Sequence, residues 1–291
     1  MTITRRLILI ADDYGISPGV SAGIRQLAER RRLTGTGVMA TMPHWPAEAP
    51  ALRELHGQIA VGLHFTLTDQ APLGSAPRLA PNGRLPSVGK LLLAGITGGI
   101  PRQEVADQLE RQLDKFETHF GAPPDFIDGH QHVHMFPGIW PSVLDVFGRR
   151  VDPAACWIRD CCDFRLAKRG LAFKAGVISV LSRAASRSAH ARKLHRNRGF
   201  SGFYDYAAGD LATFFRPMLS DSHDGHAMMV HPGHVDAELR AVDTLTDPRE
   251  REWAFLMGDD FPVQLAAAGF ELARPGFPID WDVDSGQTAA P

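Results

Sequence analysis

Acidic and histidine residues that could bind a metal ion or move protons occur in four separate groups along the 291-residue chain. They are the acid pair Asp12-Asp13, His64, the alternating histidine run at 130–134, and His231. One carboxylate with two imidazoles forms a facial set that leaves open positions for water and substrate, as in catalytic zinc and non-haem iron sites. A second acid beside such a set can act as a general base. The pattern therefore predicts a metal-dependent enzyme.

The spacing of these residues limits how they can meet. An extended chain rises about 3.3 Å per residue, so His130 and His134 would lie about 13 Å apart, whereas neighbours two positions apart could share one ion. Gly129 and Pro137 leave little room for an established helix. At most two of the three histidines in the run should therefore bind together.

The acid pair has a related constraint, because consecutive residues of a strand point to opposite faces. Asp12 and Asp13 can both reach one centre only where the strand breaks into its loop, and Tyr14-Gly15 predicts that break.

Each group of polar residues follows an apolar segment that is typical of a buried parallel strand. We predict strands at 7–11, 37–41, 59–64, 126–128, 154–159, 227–231 and 269–272, and helices at 18–31, 46–55, 101–120, 138–149 and after 248. Residues 69–101 read as a long Gly/Pro-rich loop. The alternation predicts an α/β fold, a (β/α) barrel of six to eight units, whose strand ends converge on one mouth. We expect one domain, 1–275, and a flexible tail, 276–291.

Composition excludes several classes of protein. The chain is 44% hydrophobic and 22% charged with a net charge of −2, which argues against binding to nucleic acid. Three cysteines, close together, do not suggest a disulfide framework. The apolar run before Asp12 is too short for a signal peptide or a membrane span, so we expect a cytoplasmic protein.

The near-neutral charge conceals one basic segment. Residues 164–204 contain ten Lys and Arg and no Asp or Glu, which leaves 21 basic and 33 acidic residues, a net of −12, in the rest of the chain. Interleaved apolar residues predict a basic helical insertion around 165–200. The segment either faces water or contacts an anionic membrane surface or glycolipid through 165–198, at the inner face of the membrane.

Four motifs, at 11–15, 62–65, 128–137 and 229–233, together resemble the YdjC-like carbohydrate deacetylase family. This family includes chitooligosaccharide deacetylases and deacetylases associated with hopanoid biosynthesis. The resemblance runs in order from about residue 6 to residue 272. It implies a distorted TIM-like barrel, one divalent metal ion such as Zn²⁺ or Mg²⁺, and removal of acetyl groups from N-acetylated sugars.

Carried over by position, the resemblance implies that Asp13, His64 and His130 are the metal ligands. It implies that Asp12 is the general base and His231 the general acid.

Further residues are expected to contact the substrate, an N-acetylated amino sugar that is either an oligosaccharide or linked to a lipid. The resemblance implies that three polar residues line the site, and the need of sugars for aromatic faces adds two more residues. These five are His132, His134, Arg159, Phe136 and Trp140.

Other functions fit the same residue types. A metallo-phosphoesterase or another barrel hydrolase could use the histidine run, and the basic segment would suit a phosphorylated substrate. A 2-His-1-carboxylate iron oxygenase and a non-catalytic sugar-binding protein are further alternatives. A homo-oligomer is also compatible with the sequence.

Overall fold

The computed structural model describes residues 4–162, 172–207, 209–220 and 222–274, without the side chains of 172–179 and 181. Eight parallel strands form its sheet in the order β5-β4-β3-β2-β1-β7-β6, with β8 beside the start of β1. Their bounds are β1 Arg5–Tyr14, β2 Gly35–Val38, β3 Ala60–Phe65, β4 Phe126–Gly129, β5 Trp157–Ile158, β6 Phe200–Ser201, β7 His226–Val230 and β8 Phe270–Leu272.

The sheet is curled. A parallel bridge joins Ile158 of β5 to Arg196, shortly before β6, and the Ile158 amide donates a 2.9 Å hydrogen bond to the His195 carbonyl. Because β6 follows Arg196 after three residues and pairs with β7, this bridge brings the two ends of the strand order near each other. The predicted α/β fold, a parallel sheet curled as in a TIM-like barrel, is therefore confirmed.

Ten helices connect the described strands. They are α1 Pro18–Glu29, α2 Trp45–Arg53, α3 Val88–Thr97, α4 Arg102–Phe120, α5 Trp140–Arg150, α6 Ala172–Ala191, α7 Leu211–Leu219, α8 Ala237–Val242, α9 Asp247–Met257 and α10 Asp260–Ala267. Across the described ranges, none of these helices combines the length and apolar character needed to cross a bilayer.

Local sequence signals explain several helix bounds. Ser17 caps α1 by accepting a hydrogen bond from the Val20 amide, and Pro18 occupies the first turn, where its missing N–H costs nothing. Helix α4 buries the predicted apolar stripe and ends at Gly121, which has a positive φ of 84°. Its Phe116 stacks on Trp45 of α2, so the two helices share one part of the core.

Some predicted elements were wrong in extent or missing. The segment 69–101, predicted as loop, contains α3, whose apolar residues are flanked by Gly and Pro that obscured the pattern. Strand β2 lies earlier than predicted, and β5 keeps two residues because 153–155 form a turn after Asp152. We did not predict β6, α7 or α8. Helix α6 lies in the predicted basic insertion, while 163–171 and 276–291 lie outside the described residues.

Candidate metal centre and active site

A bulge near the end of β1 brings two consecutive acids to one point. The pairing of β1 with β2 shifts register between Ala11 and Tyr14, and Asp13 has a φ of 70°. Residues other than glycine rarely adopt this left-handed conformation. It turns Asp13 so that both Asp12 and Asp13, each 1% exposed, approach His64 Nε2, at 4.0 and 3.4 Å. The predicted break thus occurs within the strand, as a bulge, and not at its end.

Three side chains at this point offer a compact set of metal ligands. Ligand atoms of Asp13, His64 and His130 all lie within 4.8 Å of one another. Asp13 Oδ1 is 3.0 Å from His130 Nδ1 and 3.4 Å from His64 Nε2. One carboxylate oxygen and two imidazole nitrogens suit Zn²⁺ and several other divalent ions, so the donor set fits the implied metal.

Asp128 orients one of these candidate ligands. It lies opposite His64 in the β3–β4 pairing, and its Oδ1 is 2.6 Å from His64 Nδ1. A carboxylate behind a histidine fixes the ring so that the other nitrogen faces the metal. Asp12, His64 and Asp128 form a second compact group, but Arg159 pairs with both of its acids. The set containing Asp13 is therefore the better candidate.

Arg159 binds the Asp12 carboxylate from inside the barrel core, since its side chain is buried. Its two terminal nitrogens donate to the two Asp12 carboxylate oxygens at 2.9 and 2.7 Å, and its side chain is 1% exposed. Burial alone would raise the pKa of Asp12, but the charges of Arg159 and His64 outweigh it and lower that pKa to about 2. Asp12 is thus a carboxylate at neutral pH, with both oxygens held in place.

Arg249 performs the corresponding role for Asp13. Its Nη2 donates to Asp13 Oδ2 at 2.6 Å and to Asp243 Oδ2 at 2.7 Å, and the side chain is fully buried. Burial opposes the charged form of Asp13, yet the charges of Arg249 and His130 hold its pKa well below the usual range. Asp13 therefore presents Oδ1 to the histidines while Oδ2 stays with Arg249.

The histidine run folds into 3₁₀ turns at 130–135, not into an extended segment. Positive φ values of 54° at Gln131 and 61° at His132 interrupt the turns and allow this path directly after Gly129. Burial lowers the pKa of His132 to about 3 and that of His134 to about 4, so both rings are neutral at pH 7. His134 Nε2 is bound to the Arg159 carbonyl at 2.8 Å, behind the site.

His231 follows β7 and lies beside the same centre. Its Nδ1 lies 3.5 Å from the hydroxyl of Tyr206, a weak contact, and its backbone amide donates to Glu252 Oε2 at 2.5 Å. Glu252 is 1% exposed and also accepts a hydrogen bond from the Tyr204 hydroxyl at 2.5 Å. The loop that carries His231 is therefore fixed by a buried carboxylate.

A cavity of about 480 Å³ opens above these residues. Its histidine and carboxylate groups are Asp12, His64, His130, His132 and His231. Most of the remaining wall is apolar and comes from Val88, Leu92, Phe136, Phe203 and Met229, with Tyr206 near His231. A larger cavity, about 690 Å³, lies between α7 and α10, and its lining contains no histidine or acidic side chain. The smaller cavity is thus the one that adjoins the candidate chemistry.

The structure sorts the proposed substrate-binding residues into two groups. His132 and Phe136 line the cavity. His134, Arg159 and Trp140 are buried and do not belong to its lining.

The sequence reasoning gave no role to four residues that adjoin the site: Asp128, Tyr206, Arg249 and Glu252. Asp128 had a usable signal, because it lies at a strand end two residues before the histidine run. The two buried charges of α9 had none, since both lie among the charged residues of its first half, a pattern typical of a solvent-exposed turn.

Comparison with known proteins adds independent evidence. A model of the family described as YdjC-like protein matches residues 6–267. A carbohydrate deacetylase from Geobacillus stearothermophilus is 29% identical over 273 residues, which cover 92% of this chain and 96% of the relative. A chitooligosaccharide deacetylase from Salmonella typhimurium is 30% identical over 280 residues, which cover 95% of this chain and 99% of the relative.

One solved structure resembles the whole barrel. It comes from Enterococcus faecalis and is provisionally named a cellobiose-phosphate cleavage protein. The match has a TM-score of 0.71 and 21% identity, and it covers 94% of this chain and 98% of the other. Likeness at this level of identity concerns the fold alone.

Proposed function

The chain belongs to the YdjC-like protein family, and from this premise we propose that it is a metal-dependent deacetylase of N-acetylated amino sugars. The observation that carries the proposal is the cluster of Asp13, His64 and His130 ligand atoms within 4.8 Å, with Asp12 beside it. His231 lies in the wall of the same cavity. The names of the two deacetylase relatives support the reaction class.

Asp13, His64 and His130 would hold one divalent ion, of which Zn²⁺ and Mg²⁺ are the candidates. When bound, such an ion polarises a carbonyl and lowers the pKa of a coordinated water. Around it, the chain supplies fixed groups: Asp128 orients His64, and Arg249 orients Asp13. These contacts predefine the ligand positions, so little rearrangement is needed on binding.

Asp12 is the proposed general base. It is ionised at neutral pH and lies close to the ligands, with its Oδ2 4.0 Å from His64 Nε2. Arg159 fixes both oxygens, which limits the carboxylate to one orientation. Asp12 can thus accept the proton that the attacking water loses.

His231 is the proposed general acid. It lies in the cavity wall together with Asp12; Glu252 holds its backbone amide, and the Tyr206 hydroxyl makes a weak contact with its ring. Protonated His231 would donate to the departing sugar amine, which otherwise leaves as a poor, strongly basic group. Base and acid then act on one bound acetamido group.

The cavity wall indicates how a sugar is held. Phe136, Phe203 and Tyr206 provide aromatic faces of the kind that pack against sugar rings. Val88 and Leu92 of α3 extend the apolar wall, which supports a substrate with an apolar part as well as an oligosaccharide. The proposal therefore covers both free and lipid-linked N-acetylated sugars.

An acetate-release assay tests the proposed reaction. The chelated and metal-reconstituted proteins are each incubated with N-acetylated chitooligosaccharides, N-acetylated monosaccharides and an N-acetylglucosaminyl glycolipid. We expect acetate from at least one class, and only from the reconstituted protein. Release of phosphate from phosphorylated sugars, without acetate from any N-acetylated one, would favour a phosphoesterase instead.

We also propose that the basic segment 165–198 contacts anionic lipid. In the described part of α6 and beyond it, Arg187, Arg192 and Lys193 are exposed, and Val180 is 55% exposed. Positive charge interleaved with apolar groups favours an anionic bilayer surface.

Vesicle co-sedimentation tests this contact. Binding should require anionic lipid and should fall in Arg187→Glu/Lys193→Glu, but not in the control Arg30→Glu/Arg31→Glu at the end of α1. Equal recovery with neutral and anionic vesicles would contradict the proposal.

A further inference from the structure

Helix α9 contains two fully buried charged residues, both in its polar first half. Arg249 and Glu252 are 0% and 1% exposed, whereas Arg251 between them is exposed. Residues three apart lie on one face of a helix, so both charges point in the same general direction. Helix α9 packs against α1, α7 and α10, outside the strands that carry the candidate ligands. Two buried charges at this position need partners.

The guanidinium of Arg249 contacts Asp13, one of the three candidate metal ligands. Its Nη2 bridges Asp13 Oδ2 and Asp243 Oδ2, and its Nε donates to the Leu245 carbonyl at 2.9 Å. Asp13 Oδ1, the oxygen near both histidines, is left clear. Because Arg249 holds Oδ2 while Oδ1 faces His64 and His130, the contact restrains the rotation of the Asp13 carboxylate.

The same helix holds the loop that carries His231. Three alternate backbone amides of this loop donate to acceptors on α9: His231 to Glu252 Oε2, Gly233 to the Arg249 carbonyl at 3.2 Å, and Val235 to Glu250 Oε1 at 2.8 Å. The other oxygen of Glu252 accepts from Tyr204. Alternate amides bound along one helix fix the path of the loop over five residues.

Stability alone is a weak explanation for these buried charges. Replacing a buried ion pair with apolar residues of similar volume is often neutral or stabilising, so such pairs are poor evidence for a purely structural role. Within the described residues, Arg249 Nη1 has no hydrogen-bond partner, which makes the burial more costly. Each charge instead contacts a group next to the proposed chemistry.

We propose that α9 is a positioning helix, which fixes the metal-binding group and the proton-donating group of the site relative to each other. Arg249 fixes the ligand oxygen of Asp13, and Glu252 fixes the backbone of His231. Both are positioning residues, since neither lines the cavity. The inference rests on the proposed function for the role of His231, but its Arg249 half concerns metal binding alone.

The Arg249 contact is tested by metal affinity without turnover. Wild type, Arg249→Lys and Arg249→Met are stripped with chelator and titrated with Co²⁺, followed by calorimetry and visible absorption. Lysine keeps the charge but lacks the Nε–H that donates to the Leu245 carbonyl and so holds the planar guanidinium with Nη2 between the two carboxylates. We expect both variants to bind Co²⁺ about 10- to 100-fold more weakly, as for loss of other groups that orient metal ligands.

A purely electrostatic role for Arg249 predicts the opposite result. Removing a positive charge beside the cation would strengthen Co²⁺ binding by Arg249→Met, and Arg249→Lys would bind like wild type. Either result overturns the Arg249 half. Arg5→Lys is the matched control, because Arg5 also donates to two acceptors but lies at the opposite end of β1. It should leave Co²⁺ affinity unchanged.

The Glu252 contact is tested by the acid step. Glu252→Ala should lower kcat for acetate release about 10- to 100-fold and alter the pH profile of kcat, while Co²⁺ affinity stays within about twofold. Glu252→Gln keeps an acceptor for the His231 amide and should recover most of the rate. If Glu252→Ala does not fold, Glu252→Asp, with its acceptor withdrawn by one methylene, is expected to show the same loss. An unchanged kcat in folded Glu252→Ala or Glu252→Asp refutes this half.

The pattern across variants separates this proposal from a general loss of structure and from failure of the proposed function. If α9 only stabilised the fold, every variant would lose Co²⁺ affinity and kcat together. That result would overturn the proposal. If wild type binds Co²⁺ but releases acetate from no sugar, the proposed function fails, while the Arg249 measurement still decides the metal half.

Discussion

His134 is fully buried, donates from Nε2 to the Arg159 carbonyl, and has no partner for Nδ1 among the described residues. Burial lowers its pKa to about 4 in the folded protein, compared with about 6.5 in an unfolded chain. The unfolded state therefore binds more protons between pH 6.5 and pH 4. The contribution of His134 to stability therefore falls as the pH falls through this window.

The size of the effect follows from the two pKa values. Between pH 7 and pH 5, a shift from about 6.5 to about 4 removes roughly 2 kcal/mol from the free energy of unfolding. His134→Gln removes the titrating group and keeps an N–H donor for the Arg159 carbonyl. Asp12 adds little to the pH dependence between pH 7 and pH 5, because its pKa is lowered from 3.8 to about 2 and its proton uptake therefore occurs below about pH 4.

Urea unfolding of the chelated protein at pH 7, 6 and 5 measures this contribution. Wild type should lose roughly 2 kcal/mol more than His134→Gln on going from pH 7 to pH 5, whatever the stability of the variant at pH 7. His44→Gln, a substitution of a half-buried histidine at the start of α2, is the control and should follow wild type. Parallel pH dependences of wild type and His134→Gln would refute the assignment of a buried neutral ring.

Three other substitutions test the site and its support. Asp12→Asn should reduce acetate release about 10²- to 10⁴-fold, and a steady-state rate equal to wild type would remove Asp12 as the base. Arg159→Met should lower the free energy of unfolding by about 3–5 kcal/mol, because it leaves Asp12 and Asp128 buried without their cation; an unchanged urea midpoint would contradict this. Gly62→Ala would bring a methyl group within 2.4 Å of the Phe126 ring, so we expect a loss of about 1–3 kcal/mol, and a variant as stable as wild type would show that the ring can move freely.

The barrel and the meeting of the four polar groups could be predicted because they depend on simple rules. Buried apolar strands alternating with helices give a parallel sheet, and parallel strands end at one mouth. The candidate ligands at 13, 64 and 130 therefore come together in space although they are far apart in the chain. The stripe of α4 and the caps of α1 also followed from local sequence.

Features that depend on unusual backbone conformations or on distant partners could not be predicted. The bulge at Asp13 and the turn at Gln131-His132 both use positive φ at residues other than glycine. Arg249 lies in the charged first half of α9, and only the packing of that helix brings its charge to Asp13, 236 residues away. Arg159 was expected to line the site, whereas the structure places it beneath Asp12.

The most direct test of the central claim is acetate release by chelated protein during stepwise return of Zn²⁺ or Mg²⁺. We predict no release without metal, recovery with one equivalent bound per chain, and loss of both binding and release in His130→Ala. Full acetate release in the presence of chelator, or unchanged metal binding and release in His130→Ala, would contradict the claim that Asp13, His64 and His130 hold the catalytic ion.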